Sequence, residues 1–241
     1  MYQLSNPNQY SQQWEDESNA LEAQGVYQAL AKLVPKERVL EIGCGVGNGA
    51  IHLSVGRDVL ALDNNELLIA KASTRLKDTG RTAQIHHCDL FELSDEDQAV
   101  IKHFEPKVVA AWFIGSHGED IFRRTPEHDD ARERSKVYRE NIEDIVVSSA
   151  VATESVEIIN LVLRGGMASS CSAQEAFDAQ KADYDEYVFD KVGFEVCDVN
   201  VAYWDRTGST FVYGHADNPN FVGEETVPVI VSIFARRKPR R

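Results

Sequence analysis

Residues Val39 to Gly49 read VLEIGCGVGNG, and they give the clearest indication of the fold. Val39–Ile42 predicts a short β-strand, and a helix is predicted from about Asn48 to Val55. The alternating glycines between them have no Cβ to keep a ligand away from the backbone, and they tolerate positive φ angles. The helix N-terminus behind them presents free N–H groups and a positive dipole end. The stretch therefore predicts a strand, turn and helix that bind a ligand through the backbone.

The sequence around this stretch alternates between short apolar runs and amphipathic segments, as in an α/β fold. Besides 39–42, strands are predicted at 59–62, 83–88, 108–113, 156–163, 194–204 and 227–234. Further helices are predicted from Leu21 to Pro35, from a cap at Asn65 to about 76, around 138–146, and over 173–192. The last two strands follow each other with no predicted helix between them, which indicates an antiparallel pair at one edge of the sheet.

Two classes of ligand site use such a glycine-rich turn, and the spacing here fits both. Counted from Gly45, it is G-x-G-x-x-A, the spacing of a dinucleotide site, with Asp63 as the acid for the ribose. Counted from Gly43, directly after the strand, it is E-x-G-x-G-x-G and begins at Glu41.

The second frame resembles motif I of the class I S-adenosylmethionine-dependent methyltransferases. The resemblance implies that Glu41 organises the glycine loop and the amino-acid end of the cofactor. It also implies that Asp63 binds both ribose hydroxyls and that Asp89, after the third strand, contacts the adenine amine. The closing antiparallel pair is typical of this family and not of dinucleotide dehydrogenases. The motif resemblance extends over about residues 37–92, and the rest of the chain resembles the family in topology.

The resemblance implies an α/β, Rossmann-like, doubly wound sheet of seven strands, mostly parallel with a C-terminal antiparallel strand and with helices on both faces. Residues 1–35 are expected to form an N-terminal helical lid and residues 36–241 the methyltransferase domain, with a charged insertion around 116–134. The expected cofactor is S-adenosyl-L-methionine, and the product is S-adenosyl-L-homocysteine. The expected cofactor-binding residues are Glu41, Gly43, Cys44, Gly45, Gly47, Asp63, Asn64, Asp89, Leu90 and Trp112.

The acceptor is expected beside the residues that follow the fourth strand, because ligands of an open parallel sheet lie at the carboxyl ends of its strands. His117 is the candidate base there, with Ser116 as a hydrogen-bonding neighbour, and Tyr10 and Trp14 are candidate substrate contacts. Methyl transfer from a sulfonium is an in-line displacement that depends mainly on positioning and the exclusion of water, and a base is needed only where the acceptor must lose a proton. The sequence WFIG at 112–115 replaces the Asn/Asp-Pro-Pro-aromatic motif of enzymes that methylate amino groups of bases or glutamine, so a small-molecule acceptor is favoured.

Composition argues against several other partners. The 241 residues include 25 Lys and Arg against 39 Asp and Glu, a net charge of −14 that repels phosphate backbones, so nucleic acid is not expected as a partner. No run approaches the ~20 apolar residues of a membrane span, and no signal peptide is visible. Four isolated cysteines without a CxxC pair predict reduced thiols in a cytoplasmic protein, with no metal site.

The predicted function is therefore methyl transfer from S-adenosylmethionine to a small molecule. Two alternatives stay open from the sequence. A regulatory subunit that binds S-adenosylmethionine without catalysis would have the same cofactor residues, and only turnover separates it from an enzyme. An NAD(P)-binding oxidoreductase would use the Gly45 frame instead. The acceptor atom and the oligomeric state are not fixed by the sequence.

Overall fold

A computed structural model describes residues 5–209, 211 and 225–239 of the chain. Within these residues the central feature is a seven-stranded sheet with the order β3-β2-β1-β4-β5-β7-β6. The strands are β1 (Val39–Ile42), β2 (Val59–Asp63), β3 (Gln84–His87), β4 (Val108–Trp112), β5 (Ile158–Ala168), β6 (Phe194–Tyr203) and β7 (Thr226–Arg237). β1 to β5 pair in parallel, and β7 lies antiparallel between β5 and β6. The predicted sheet with its antiparallel C-terminal strand is confirmed.

Helices cover both faces of the sheet, as predicted. They are α1 (Pro7–Ala23), α2 (Val26–Leu33), α3 (Asn48–Leu53), α4 (Glu66–Asp78), α5 (Asp95–Phe104), α6 (Gly118–Arg124), α7 (Ala131–Val147) and α8 (Ala173–Tyr184). Residues of α1 to α4 pack with Val39 in one core, and residues of α5, α7 and α8 pack with Leu40 and Ile42 in the other. This alternation along β1 follows from the opposite directions of successive side chains in a strand. In the described part of the chain no helix combines the length and apolar character that a membrane span requires.

The order of the strands places a crevice at the carboxyl ends of β1 and β4. β1 pairs with β2 on one side and with β4 on the other. The chain therefore leaves β1 and β4 in opposite directions, and ligands of open α/β sheets bind at this switch point.

The helix after β2 begins where the sequence predicts. Asn65 caps α4 by accepting hydrogen bonds from the backbone N–H groups of Leu67 and Leu68 at 3.1 and 3.3 Å. Arg75 and Lys77 lie in its last turn, where cations interact favourably with the helix dipole.

The N-terminal helix begins earlier than predicted, at Pro7 rather than near Leu21. Asn6 and Gln9 form a capping box, in which each side chain accepts the other's backbone N–H at 3.0 and 3.2 Å. The apolar pattern did not reveal this helix because its buried face includes Ser11, Glu17 and Ser18. Gly25, with φ 73°, then separates α1 from α2.

Three other segments differ from the sequence-based expectations. The charged insertion around 116–134 contains α6 and the first turn of α7. No element was predicted over α5, which begins at a capping box formed by Ser94 and Asp97. The helix predicted over 173–192 ends at Tyr184 and continues as a wider turn over Asp185–Phe189 and a tighter turn over Asp190–Val192.

Gly47 joins the glycine loop to α3 at a point where two helices meet. Its φ is 87°, and a Cβ placed on it would lie 2.9 Å from both the Cα and the Cβ of Ala72 on α4. Gly47 is therefore needed both for the backbone conformation and for the approach of α3 to α4.

We expect Gly47→Ala to destabilise the cofactor-free protein more than a glycine replacement that introduces backbone strain alone. Gly80→Ala is the matched control, because Gly80 has φ 64° and a Cβ there meets no atom within 4 Å. The control should lower the free energy of unfolding by about 1–2 kcal/mol, and Gly47→Ala by roughly 1–3 kcal/mol more. Urea unfolding measures both. Equal losses would mean that contact with Ala72 does not constrain Gly47.

Candidate functional site

The glycine loop after β1 is fixed to the end of β2 by three backbone donors. The N–H groups of Gly43 and Cys44 donate to the carbonyl of Leu62 at 2.9 and 3.0 Å. The N–H of Gly45 donates to Oδ2 of Asp63 at 2.8 Å. Gly43 and Gly45 have φ angles of 70° and 54°, which glycine adopts without strain. The loop is therefore held in one conformation before any ligand binds.

A cavity of about 490 Å³ opens at this loop, and we call it the glycine-loop cavity. Its volume is in the range of small-molecule sites. It lies at the carboxyl ends of β1 to β4 and is covered by α1. Among the residues predicted from the sequence, its wall contains Tyr10, Trp14, Gly43, Gly45, Asp63, Asn64, Asp89, Ser116 and His117.

Asp63 is positioned by backbone donors on both of its oxygens. Oδ1 accepts the N–H of Asn65 at 2.9 Å, and Oδ2 accepts that of Gly45. Burial raises the pKa of Asp63, and these two N–H groups act in the opposite direction. Because each carboxylate oxygen has a second lone pair, Asp63 can still accept two hydroxyl donors from the cavity.

Asp89 is fixed by an arginine that is distant in sequence. Its Oδ1 accepts the N–H of Phe91 at 3.0 Å, and its Oδ2 pairs with Nη2 of Arg124 at 2.5 Å. Arg124 also pairs with Glu92 at 2.8 Å and lies 4.8 Å from the centre of the Phe91 ring. The salt bridge therefore holds Asp89 at the wall of the glycine-loop cavity.

The glycines distinguish the two reading frames of the loop. A Cβ on Gly43 would meet no atom within 4 Å, so this residue faces the open cavity. A Cβ on Gly45 would collide with the indole of Trp14, which lies across the loop from α1. Gly43 and Gly45 line the cavity, whereas Gly47 packs on Ala72. This arrangement favours the frame that begins at Gly43 over the dinucleotide frame that begins at Gly45.

Glu41 lies beneath the loop as a buried acid with one unpaired oxygen. It is 3% exposed, and its Oε2 has no hydrogen-bond partner among the described residues. Burial, and to a smaller extent the charge of Asp63, raises the pKa of Glu41 to about 8. A Cβ on Gly49 would collide with Oε1 of Glu41, so this glycine makes room for the carboxyl group. Glu41 does not line the glycine-loop cavity, so its carboxyl group lies beneath the loop and not at the wall that a ligand would contact.

Like Glu41, four other predicted cofactor residues do not line the glycine-loop cavity. Cys44 is buried, and burial raises the pKa of its thiol, which makes it an inert filler. Leu90 lines a smaller neighbouring cavity of about 60 Å³. Gly47 packs against α4. Trp112 is 4% exposed in the core, where its Nε1 donates to Oδ1 of Asn160 at 2.6 Å. The structure does not bring Trp112 to the cavity wall.

A second cavity, of about 400 Å³, adjoins the first, and we call it the β4–α7 cavity. The two share Tyr10 and residues 113–116 as a common wall, and the second extends to α7 and to the end of β5. Phe113 in this wall has φ 56°, a conformation that costs free energy in a bulky residue and that concentrates at functional sites.

The N-terminal helix is held over the site by a buried ion pair. Oε1 of Glu17 on α1 pairs with Nη1 of Arg164 on β5 at 2.9 Å, and Oε2 accepts the hydroxyl of Ser209 at 2.7 Å. The guanidinium carbon of Arg164 lies 5.4–5.7 Å from four ring centres. The rings are those of Trp14, Phe113, Trp204 and Phe211.

His117, the predicted base, serves as the N-cap of α6. Its Nδ1 accepts the N–H of Asp120 at 3.3 Å. A neutral imidazole that accepts at Nδ1 carries its proton on Nε2, so its basic nitrogen is already engaged. The side chain of Ser116 interacts with Asp120 and Tyr138 rather than with His117. This geometry argues against His117 as the base.

Several charged residues of the site were not identified from the sequence. They are Glu17, Asp120, Arg124, Glu143 and Arg164. Glu17 ends a polar run and Arg164 follows a predicted strand, but neither belongs to a motif. Their pairing becomes visible only in the folded chain.

Residues 39–108 match a protein family described as a methyltransferase domain. The matched segment runs from β1 to the start of β4 and contains the glycine loop, Asp63 and Asp89. The match covers less than a third of the chain, and this segment is similar to a methyltransferase domain, as the frame that begins at Gly43 predicts.

Solved methyltransferase structures resemble this chain at low sequence identity. A TehB-like protein from Corynebacterium glutamicum is 18% identical, with 97% of this chain and 100% of that chain covered and a TM-score of 0.46. Magnesium protoporphyrin IX methyltransferase from Synechocystis PCC 6803, solved with S-adenosylhomocysteine, is 15% identical, with 95% and 84% covered and a TM-score of 0.47. TrmN from Thermus thermophilus is 15% identical, with 88% and 48% covered and a TM-score of 0.48. A sequence comparison with curated proteins finds no match.

We expect Asp63→Asn to lower the affinity of the protein for S-adenosylhomocysteine about 10- to 100-fold. The substitution keeps the size of the side chain and removes its charge, and hydrogen bonds to charged groups contribute roughly 1.5–3 kcal/mol. Isothermal titration calorimetry measures the change. Asp58→Asn, at an exposed residue just before β2, is the matched control and should bind as the wild type does. Unchanged affinity in Asp63→Asn would show that Asp63 does not bind the cofactor.

We expect Glu41→Gln to stabilise the cofactor-free protein increasingly from pH 5 to pH 8. The folded protein keeps the proton on Glu41 up to its pKa of about 8, whereas an unfolded glutamate loses it near pH ~4.3. The free energy of unfolding of the wild type should therefore fall across this window by a few kcal/mol at most, and glutamine has no proton to lose. Urea unfolding at four pH values measures the difference. Glu37→Gln, at an exposed site, is the control. A difference between Glu41→Gln and wild type that stays constant with pH would contradict the raised pKa.

Proposed function

We propose that the protein transfers the methyl group of S-adenosylmethionine to a small molecule bound in the β4–α7 cavity. The observation that carries the proposal is the common wall of the two cavities, formed by Tyr10 and residues 113–116. A ligand in the second cavity would lie next to the cofactor in the first. A volume of about 400 Å³ suits a small molecule and not a macromolecule.

In this proposal the glycine-loop cavity holds the cofactor through three kinds of contact. Asp63 accepts both ribose hydroxyls, and Asp89 accepts the adenine amine. Gly43 and Gly45 bring the backbone close to the amino-acid end, and Glu41 organises the loop beneath it. The fixed hydrogen bonds of Asp63 and Asp89 support these roles, since both carboxylates are positioned before ligand binding.

The chain itself contributes positioning and the exclusion of water. Bound S-adenosylmethionine supplies an electrophilic methyl group on a sulfonium. α1 covers the site with Tyr10 and Trp14, and the buried pair of Glu17 and Arg164 holds α1 in place. Positioning of the two reactants accounts for most of the acceleration of such an in-line displacement.

Charge and sequence support a small acceptor over a nucleic acid. The net charge of −14 repels phosphate backbones. The residues after β4 lack the Asn/Asp-Pro-Pro-aromatic motif. A cytosolic location is proposed from the four free thiols, which suit a reducing compartment.

The proposal is tested by following tritium from S-adenosyl-L-[methyl-³H]methionine into a cell extract that has been separated by dialysis. We expect a labelled dialysable product that chromatography separates from unreacted S-adenosylmethionine with active enzyme, and no such product with the heat-inactivated protein. Label that stays with protein or RNA would overturn the proposal of a small acceptor.

We expect Ser135→Trp to reduce methyl transfer to the labelled low-mass acceptor about 10-fold without changing the affinity for S-adenosylhomocysteine. Ser135 is exposed on α7 and lines only the β4–α7 cavity, so an indole there fills the cavity without disturbing the core. A substituent that misplaces the acceptor by a small distance is enough for such a loss. Lys136→Trp, at the next exposed residue, is the control and should leave transfer unchanged. Equal rates in both variants would place the acceptor elsewhere.

A further inference from the structure

The β4–α7 cavity is largely apolar, with a few polar side chains at one end. Its apolar wall includes Phe113, Ile121, Ile142 and Leu163. The polar side chains are those of Tyr10, Ser116, Ser135, Tyr138, Arg139, Glu143 and Arg164. Such a cavity selects an acceptor that is apolar over most of its surface and carries one polar group at a defined position.

Most of these polar groups are engaged by other protein groups. Arg164 pairs with the buried Glu17, and the hydroxyl of Tyr138 donates to Oδ2 of Asp120 at 2.8 Å. Ser116 interacts with the same Asp120. Ser135 donates to the carbonyl of Ala131 at 2.9 Å.

Glu143 differs from them because one of its oxygens is left for a ligand. Oε1 accepts the hydroxyl of Tyr184 at 3.3 Å and lies 3.8 Å from Nε of Arg139. Oε2 accepts no hydrogen bond from any residue in the described ranges, although the side chain is only 11% exposed. Glu143 is thus a carboxylate at the cavity wall with an unused acceptor atom.

We propose that Glu143 binds the ammonium group of an apolar amine in the β4–α7 cavity and takes its proton, so that the amine is the methyl acceptor. This inference rests on the proposed function and adds the substrate class. Arg139 and Arg164 lie in the same wall, but Arg164 is paired with Glu17, and Arg139 is 53% exposed and 3.8 Å from Oε1 of Glu143. The unused oxygen of Glu143 and the net charge of −14 therefore favour a cation over an anion.

One N–H bond of the ammonium breaks and the proton moves to Oε2 of Glu143, which leaves a neutral amine with a free electron pair. That pair forms the new N–C bond, and the pair of the breaking C–S bond stays on sulfur. The product is a methylated ammonium with S-adenosylhomocysteine, and Glu143 passes its proton to water.

The surroundings of Glu143 suit a proton acceptor near neutral pH. Burial raises its pKa to about 7, and the charges of Glu140 on α7 and Asp183 on α8 act in the same direction. Arg139 and the hydroxyl of Tyr184 act in the opposite direction. A general base is most effective when its pKa lies near the working pH.

The test compares Glu143→Gln with the matched control Glu140→Gln, which changes an exposed carboxylate on the same helix outside the cavity. With the dialysed low-mass fraction as substrate, Glu143→Gln should transfer tritium about 100-fold more slowly, as the loss of a general base predicts. Its affinity for S-adenosylhomocysteine should stay unchanged. In the wild type kcat/KM should rise with pH through a midpoint near 7, and in Glu140→Gln through a slightly lower midpoint because the charge of Glu140 is lost. Glu143→Gln should lack this limb. Unchanged rates and an unchanged pH profile in Glu143→Gln would overturn the role of Glu143.

The substrate class is tested separately from the base. The tritiated product, freed of unreacted S-adenosylmethionine by reversed-phase chromatography, should be retained on a cation-exchange resin at pH 7, as a methylated ammonium is. In calorimetry with S-adenosylhomocysteine bound, 2-phenylethylamine should bind at least 10-fold more tightly to wild type than 2-phenylethanol, and Glu143→Gln should remove the difference. An uncharged or anionic product, or equal binding of the two probes to the wild type, would refute an amine acceptor. If tritium entered no low-mass product at all, the proposed function itself would fail, whatever Glu143 does.

Discussion

The hydrogen bonds that join the glycine loop to the end of β2 are the constraint on which the site depends. Parallel pairing aligns Ile42 with Leu62, which places the Leu62 carbonyl and the Asp63 carboxylate directly beside the loop. The loop then leads into α3 at Gly47, whose missing side chain lets α3 pack against α4. The position of the cavity therefore follows from strand register and helix packing together, and a shift of either would separate Asp63 from the loop.

A second constraint on the site is that many acids lie at one edge of the sheet in a protein that is already negatively charged. Three of them are paired with arginines from their own or another element: Glu17 with Arg164, Asp89 with Arg124, and Asp120 with Arg123. Pairing offsets the cost of burying these charges and holds the cavity walls in place. Glu41 has no such partner, and Glu143 has Arg139 only at 3.8 Å. Burial accordingly raises the pKa of these two acids most clearly, to about 8 and about 7.

The sheet and the glycine loop could be predicted from the sequence because their signals are local. Strand runs, the glycine spacing and the Asn65 cap each occupy a few consecutive residues, and the structure has them where they were expected. α1 was predicted to begin too late because it buries polar residues, which conceals the apolar periodicity. Trp112 ends a central strand, and from the sequence a tryptophan there can either contact the cofactor or fill the core. Its bond to Asn160 on β5 decides this, and no local pattern contains that bond.

The same difference, between local sequence signals and contacts formed only on folding, separates the glycine-loop cavity from the β4–α7 cavity. The cofactor half is built mainly from the backbone of one turn and from acids at the ends of consecutive strands, so a single stretch of sequence specifies it. The β4–α7 cavity is built from side chains of α1, the segment after β4, α7 and β5. These meet only in the folded protein, and α1 lies far from the other three in the chain. Its residues need not fit a motif, and none of them forms the hydrogen bonds that fix the glycine loop. Under the proposed function, changes at Ser135 or Glu143 alter the acceptor while the hydrogen bonds of Gly45 and Asp63 stay intact. The sequence therefore carries a motif for the cofactor half and leaves the acceptor open.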